Sequence, residues 1–362
     1  IFFFILSMYI PLTPTGFRNF IGICYPSSMS NKFELPESEI FPWIHALLSS
    51  SGLDSVHAEI VADVFLRASR RRLGHHDIND LPGRLANLDN KAIKPRPSIT
   101  TISEQAALLI LDGDQGLGEY CCSIATRHAI DRAQRFGVGI CSIRHSNHFL
   151  AAWPYAQMGT EAGCMLLVLS NTDPSVTGPG GSEAIIGNNP LGFGAPGKRP
   201  MLLDTCLAYS SIGNLAALRD SGSGIPKHWA LGPDGQPTTD PAQALAGWRV
   251  RPIGEHKGYG LALMVEALTG VLSGGETTSD IQRPGGLGTH SQTVIAINTN
   301  AIEGLDHLAE QMHQAGMRLP GEKSIELEET SQREGIQLGA RPLQELREWS
   351  AKLDVDLPRS LK

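Results

Sequence analysis

The stretch "SIRHSNHFLAAWPYA" (142–156) sets Arg144, His145, Ser146, Asn147 and His148 between an apolar run, "VGICSI", and a helix-like run, "FLAAWPYAQMG". A polar cluster at a strand end is held rigidly by its scaffold, and binding or catalytic side chains concentrate in such places. His148 suits a general acid working near neutral pH: imidazole titrates there, and Ser146 and Asn147 can fix its tautomer. The plainer reading is a satisfied core histidine. His145 and His148 also form H-x-x-H, which with His75, His76 or Asp77 would make a zinc ligand set. Lys257, in "GEHKGYG", opens an apolar helix, where a cation opposes the helix dipole and the glycines let a ligand approach. A solvated surface lysine fits the same residues.

Two familiar phosphate-binding patterns fail. "GFGAPG" (Gly192, Gly194, Gly197) matches G-x-G-x-x-G, but Pro196 and Pro200 block the helix that must follow. Arg199 stands after Lys198, where a P-loop needs Ser or Thr. No G-x-S-x-G nucleophile elbow is present.

The elements that position these residues can be read from periodicity and punctuation. "PESEIFPWIHALLSSSG" and "DSVHAEIVADVFLRASRRRLG" read as amphipathic helices. "HHDINDLPGRLANLDN" reads as a turn and a short helix, and "SITTISEQAALLILDGD" as two strands around a turn. A helix over "LGEYCCSIATRHAIDRAQRFG" stops at Gly137, and "VGICSIR" and "CMLLVLS" are short strands with a helix between them. From Asn171 to Pro200 the Gly, Pro and Asn content predicts a long functional loop. "MLLD" is a strand, "SSIGNLAALRDSG" a helix and "IPKHWALGPDGQPTTDPAQALAG" a second long loop. "KGYGLALMVEALTGVLSGG" is a strongly apolar helix, "TVIAIN" a strand, and helical runs follow at 303–318 and 342–353. On its own this is β-α-β punctuation.

Composition bounds the function. The 362 residues are 41% apolar and 19% charged, as in a soluble globular chain with two or three subdomains. A net charge of -7 argues against nucleic acid, whose phosphates need a basic surface. The six cysteines form no C-x-x-C pair and read as buried free thiols of a reducing compartment, so a cytoplasmic location is expected. "IFFFILSMYI" is too short to span a bilayer, which takes roughly 20 residues, and no membrane partner is expected. Residues 1–28 read as an extension outside the fold, with Met29 a natural start.

The ordered set "DGDQGLG", "SIRHSNHF", "NTDP", "GPGG", "GNNPLGFGAP", "LLDT", "IPKHWALGPDGQPTTDP", "HKGYGLALMVEALTGVLSG" and "PGE" closely resembles the malate/L-lactate dehydrogenase family of the non-Rossmann type. That family includes ureidoglycolate dehydrogenases and reductases of keto-sugar and cyclic imino acids. The resemblance spans residues 36–340. It implies an α/β (α+β) chain with a non-Rossmann NAD(P)-binding fold. A largely antiparallel central sheet would be packed by helices, with a helical N-/C-terminal domain beside it. The implied division is 29–110 joined by 303–362, against a cofactor-binding and catalytic domain at 111–302. It further implies NAD or NADP as cofactor, a 2-oxo/2-hydroxy acid as substrate, no metal, and a homodimer. The family's catalytic histidine falls on His148, with Asn147 beside it for substrate. Its cofactor contacts fall on Thr172, Asp173, Asn189, Asp204, Thr205 and Lys257. Gly180 and Gly181 lie in the stretch 178–194 that would line the nicotinamide pocket. Lys257 would support catalysis as well.

The chain departs from the family at "GHHDINDLP", where the family reads G-H-x-S-H-G-x-x-R-x-P. Two residues are missing between the matching ends, and Ser-His-Gly collapses to about Asp77. The second catalytic histidine is absent unless His76 takes its place. Asp80 replaces the carboxylate-binding Arg, a role that Arg84 would have to assume. Leu150 stands where the family has Gly, which would crowd the pocket. Three readings stay open: an active 2-hydroxy acid dehydrogenase with His148 as acid/base, a catalytically impaired dinucleotide-binding homologue, and a metal hydrolase using His75, His76 and His148.

Overall fold

The computed structural model describes residues 32–72, 74–281, 287–299 and 302–362, so the proposed extension at 1–28 lies outside the described residues. The described chain begins with β1 (Lys32–Leu35), α1 (Glu37–Ser50), α2 (Ser55–Arg70), a 3-10 turn at Ile78–Asp80 and α3 (Leu81–Asp89). Next come β2 (Thr100–Gln105), β3 (Leu108–Asp112), α4 (Gly118–Phe136), β4 (Val138–Ser146), α5 (Trp153–Glu161) and β5 (Cys164–Ser170). The middle of the chain forms β6 (Val176–Thr177), β7 (Ala184–Ile186), β8 (Leu191–Ala195), β9 (Met201–Thr205), α6 (Ile212–Asp220), β10 (Ala230–Leu231), α7 (Pro241–Gly247) and β11 (Arg249–Val250). Then α8 (His256–Glu266) runs on into a π-helical turn at Ala267–Val271. It is followed by β12 (His290–Asn298), α9 (Ile302–Gln314), α10 (Glu322–Glu334), β13 (Ile336–Gly339) and α11 (Ala340–Leu353).

The central sheet has the order β2-β3-β4-β12-β5-β8-β9. Its neighbours are antiparallel except β3 and β4, which run parallel because α4 crosses between them. The run β3-α4-β4-α5-β5 gave the sequence its β-α-β texture, but β12 separates β4 from β5, and the sheet is the largely antiparallel, non-Rossmann type. β12 arrives from far along the chain and inserts between β4 and β5, with Val294 opposite both Cys141 and Val168. Gly137 ends α4 at φ 85°, in the left-handed region that glycine adopts without a Cβ clash. A Cβ on Gly139 would overlap the Ala129 carbonyl oxygen, so this glycine lets α4 lie directly on β4.

One large apolar core joins α1, α2, α4, β4, β5 and α5 to β13 and α11 near the chain's end. A second gathers Leu169, Val176, Leu215, Val250 and Val265 beneath the small sheet β10-β11-β6-β7. The sequence missed β1 and β13, which pair antiparallel, and α10. It also read two long loops where short elements exist: β6, β7 and β8 within 171–200, and α7, capped by Asp240, within the second. Gly192 and Gly194 lie in strand β8 and not in a phosphate loop; a Cβ on Gly194 would sit 2.5 Å from the Ala156 carbonyl oxygen of α5. Their bareness is a packing requirement. Among the described residues no helix is long and apolar enough to cross a membrane.

Candidate active site

The end of β4 is fixed from several sides. Asn147 Nδ2 donates to the carbonyl oxygens of Gln115 (3.2 Å) and Gly116 (2.7 Å), and its Oδ1 accepts from Gly288 N at 2.8 Å. The amide expected to touch substrate is thus engaged in pinning the "DGDQGLG" turn and residue 288 to the strand end. Gly118 completes the approach: a Cβ there would overlap the carbonyl oxygens of Asn147 and His148. Whatever follows Asn147 is therefore held by backbone of the 112–118 turn and of residue 288.

His148 follows it. Its Nδ1 lies 2.8 Å from Arg84 Nη2 and 3.2 Å from Leu150 N. A guanidinium has only donors, as has a backbone N–H, so Nδ1 must accept from both. The ring proton then sits on Nε2, and the imidazole is neutral. An imidazolium would need a proton at Nδ1, where two N–H groups already point. Burial, Arg84, His76 and His290 together hold His148 well below the ordinary histidine range. Arg84 is itself anchored, its Nε donating at 2.8 Å to Oε1 of Glu119, a fully buried residue in the first turn of α4.

The shortened segment reaches the same place. Asp77 organises it: its carboxylate accepts from Gly74 N (2.8 Å), Asn79 N (2.9 Å) and Asn79 Nδ2 (2.7 Å), while Ile78 N donates to Ser69 Oγ at 2.9 Å. His76 takes φ 53°, and its ring centroid stands 4.9 Å from that of His148 and 4.9 Å from that of His75. Burial pushes His76 down to about 4, against the pull of Asp80. His290, buried at the start of β12, faces the cluster and lies 3.6 Å (Nε2) from Asp173 Oδ1. The structure thus brings His76, His148 and Arg84 together. His290 and Glu119 belong to the same cluster and were missed, since nothing local marks a histidine opening a strand or a glutamate opening a helix.

Other predicted residues lie elsewhere in the scaffold. Asp204 Oδ2 accepts from Ala152 N (3.0 Å) and Trp153 N (3.2 Å), so it caps α5. Thr205 Oγ1 donates to Cys206 O at 3.1 Å. Asn189 Oδ1 accepts from Thr172 N, and its Nδ2 donates to Ala262 O (2.9 Å) and to Oε2 of the buried Glu266 (3.1 Å). Lys257 is exposed in the first turn of α8, and Gly180 and Gly181 form an exposed turn. Leu150 is buried in the main core, at φ 71°, a backbone angle that suits the glycine of the family pattern. His145 pairs with Asp112 (2.8 Å), which also holds Arg144 (3.2 Å). Among the described residues no group of three or more His, Cys, Asp or Glu is arranged to hold a metal ion.

Residues 35–347 match the malate/L-lactate dehydrogenase family. A malate dehydrogenase of Pyrococcus abyssi is 30% identical over 348 residues, covering 90% of this chain and 96% of its own. An L-sulfolactate dehydrogenase of Methanothermobacter thermautotrophicus is 30% identical, covering 89% of this chain and 97% of its own. The crystal structure of malate dehydrogenase from Entamoeba histolytica superposes with a TM-score of 0.85 at 25% identity, over 91% of this chain and all of that one.

Proposed function

We propose that this chain, which belongs to the malate/L-lactate dehydrogenase family, interconverts a 2-hydroxy acid and a 2-oxo acid using a nicotinamide dinucleotide. The observation that carries the reading is the pairing of His148, neutral with its proton on Nε2, with His76 at 4.9 Å between ring centroids. The impaired-homologue reading rests on the shortened Ser-His-Gly/Arg segment at 74–82; against it stands His76, which lies beside His148 where a second histidine would act.

The bound nicotinamide would supply the hydride for reduction and accept it for oxidation. The residues present suit such a group. A pyrophosphate needs backbone N–H donors and a cation. Gly180 carries no side chain over its turn, and a Cβ there would meet nothing. A Cβ on Gly178 would come within 3.9 Å of the Tyr259 ring, which places this glycine stretch against the first turn of α8 and its exposed Lys257.

In reduction, the carbonyl carbon gains the hydride and the π pair of the C=O bond moves to oxygen. His148 Nε2–H donates a hydrogen bond to that oxygen as its charge grows, which lowers the barrier most when the donor is already positioned. The proton that completes the hydroxyl comes from water by way of His76, which takes it up at one ring nitrogen as it releases the proton on the other, and oxidation runs the same path backwards. The sequence cast His148 as acid and base together; the donors at Nδ1 divide those roles between two histidines. Arg84, turned toward Glu119 and His148, is committed to that scaffold. A homodimer is part of the proposal, and light scattering of the purified protein reads it directly.

The test is turnover. Purified protein is mixed with NADH or NADPH, and pyruvate, oxaloacetate, 2-oxoglutarate, keto-sugar acids and cyclic imino acids are added in turn while cofactor oxidation is followed. Oxidation with a 2-oxo acid is expected. Cofactor binding with no oxidation by any acid refutes the reading.

A further inference from the structure

Arg84 is the cation in contact with His148 among the described residues, and its partners are unusual for a residue expected to hold a substrate carboxylate. Its Nε is turned to Glu119 Oε1 at 2.8 Å and its Nη2 to His148 Nδ1 at 2.8 Å. Glu119 is 0% exposed. A carboxylate so buried is costly unless paired, and Arg84 is the cation paired with it. The pairing fixes the guanidinium in one orientation, since its planar fork has few alternatives once Nε is committed. What that orientation presents to His148 is an N–H. Most catalytic histidines meet an acceptor at Nδ1, which favours the tautomer with a free Nε2 lone pair. Here the sign is reversed.

We propose that Arg84, held by the buried carboxylate of Glu119, is a positioning residue that locks His148 as the neutral Nε2–H imidazole. The lock makes His148 a fixed hydrogen-bond donor and prevents it from carrying a proton at Nδ1. The groups around the ring agree. Arg84 and Glu119 approach from α3 and α4, His76 from the 74–80 segment, and His290 with its neighbour Asp173 from β12 and the 171–190 segment. Burial first, and then the cation and the two neighbouring histidines, disfavour a positive ring. Leu150 N adds a second donor to Nδ1, so a change at Arg84 weakens the lock without removing it.

This inference deepens the proposed function, and its test separates the two. The first readout is nitrogen NMR of histidine-labelled resting protein, which needs no substrate. His148 should show a lone pair on Nδ1 and a proton on Nε2, with no titration between pH 5 and 8. The double variant Arg84→Met/Glu119→Gln removes the donor without stranding the carboxylate; in it Leu150 N alone holds Nδ1, and a second population of neutral His148 with its proton on Nδ1 should appear beside the Nε2–H form. Arg84→Lys should restore much of the wild-type behaviour. The second readout is kinetic. The double variant should lose kcat by on the order of a hundredfold, with KM for the 2-oxo acid within about threefold of wild type, as expected when a tautomer is lost and binding is kept. Wild-type His148 titrating between pH 5 and 8, or protonated on Nδ1, overturns the proposal. So does a raised KM with unchanged kcat, which would make Arg84 a substrate-binding group. A locked tautomer in a protein that turns over no acid would leave the lock standing and refute the proposed function alone.

Discussion

Asp204→Ala is expected to weaken the fold and leave cofactor affinity unchanged. The resemblance places Asp204 among the cofactor contacts, whereas its Oδ2 accepts from the first N–H groups of α5, at 3.0 and 3.2 Å. Loss of a helix N-cap side chain costs about 0.5–2 kcal/mol. Loss of a negative charge at a helix N-terminus adds about 0.3–1 kcal/mol. Asp204 also faces Arg71, whose guanidinium stacks 3.6 Å from the Trp153 ring centroid and is left with Glu328 at 3.8 Å when Asp204 is removed. The sum is about 1–3 kcal/mol, read as a lower urea midpoint at unchanged slope. Asp204→Asn keeps an acceptor and should cost less than half as much. Cofactor fluorescence titrated on the same samples should give Kd values within about twofold of wild type, a difference below about 0.4 kcal/mol. An unchanged urea midpoint with a Kd raised tenfold would refute the capping argument and restore Asp204 as a cofactor ligand.

Gly139→Ala should destabilise by about 3 kcal/mol, because the new Cβ meets backbone of α4 that cannot rotate away; urea unfolding checks it. Glu266→Ala should cost at least as much, on the order of 3–5 kcal/mol, or abolish soluble expression. It strands Thr278 N and takes one of two acceptors from each of Asn171 Nδ2, Asn189 Nδ2 and Thr278 Oγ1 in a buried site, and Glu266→Gln should be milder by the same assay. His76 binds its proton at about 4 in the fold and near 6.5 when unfolded. Between these values the unfolded chain holds more protons, so this residue makes stability rise with pH and fall as pH drops from 6.5 toward 4. His76→Gln should flatten that slope in unfolding measurements across pH 4–6.5; an unchanged slope would show that the His76 pKa is not depressed.

Local pattern carried much of the fold. Helices α1, α2, α4 and α11 announce themselves by apolar spacing, acidic starts or a closing glycine, and β3, β4, β5 and β12 by short apolar runs. What local pattern lacks is pairing. β12 lies over a hundred residues from β4 and β5 yet sits between them, and β1 finds β13 at the far end of the chain. The glycines of "GFGAPG" look like a phosphate loop because bareness serves close packing as well as ligand approach, and only the neighbouring α5 decides which. The site was legible in the same measure. His148 and Asn147 stood out at a strand end, and His76 and Arg84 were named as stand-ins for missing family residues. Their mutual arrangement was not legible. Nothing in "LGEYCC" says that Glu119 is buried beneath Arg84, and that contact sets the tautomer of His148. The resemblance assigned Asp204 and Asn189 to the cofactor; in the structure their side chains are engaged in internal hydrogen bonds, which no local pattern announces.

The most direct test of the account compares wild type with His148→Gln in one experiment with two readouts, cofactor fluorescence for binding and cofactor oxidation for turnover. The account predicts a Kd for NADH or NADPH within about twofold and a kcat on the 2-oxo acid lowered by on the order of a hundredfold or more. Turnover equal to wild type would contradict it, because His148 would then be a buried structural histidine at a strand end with no part in the chemistry.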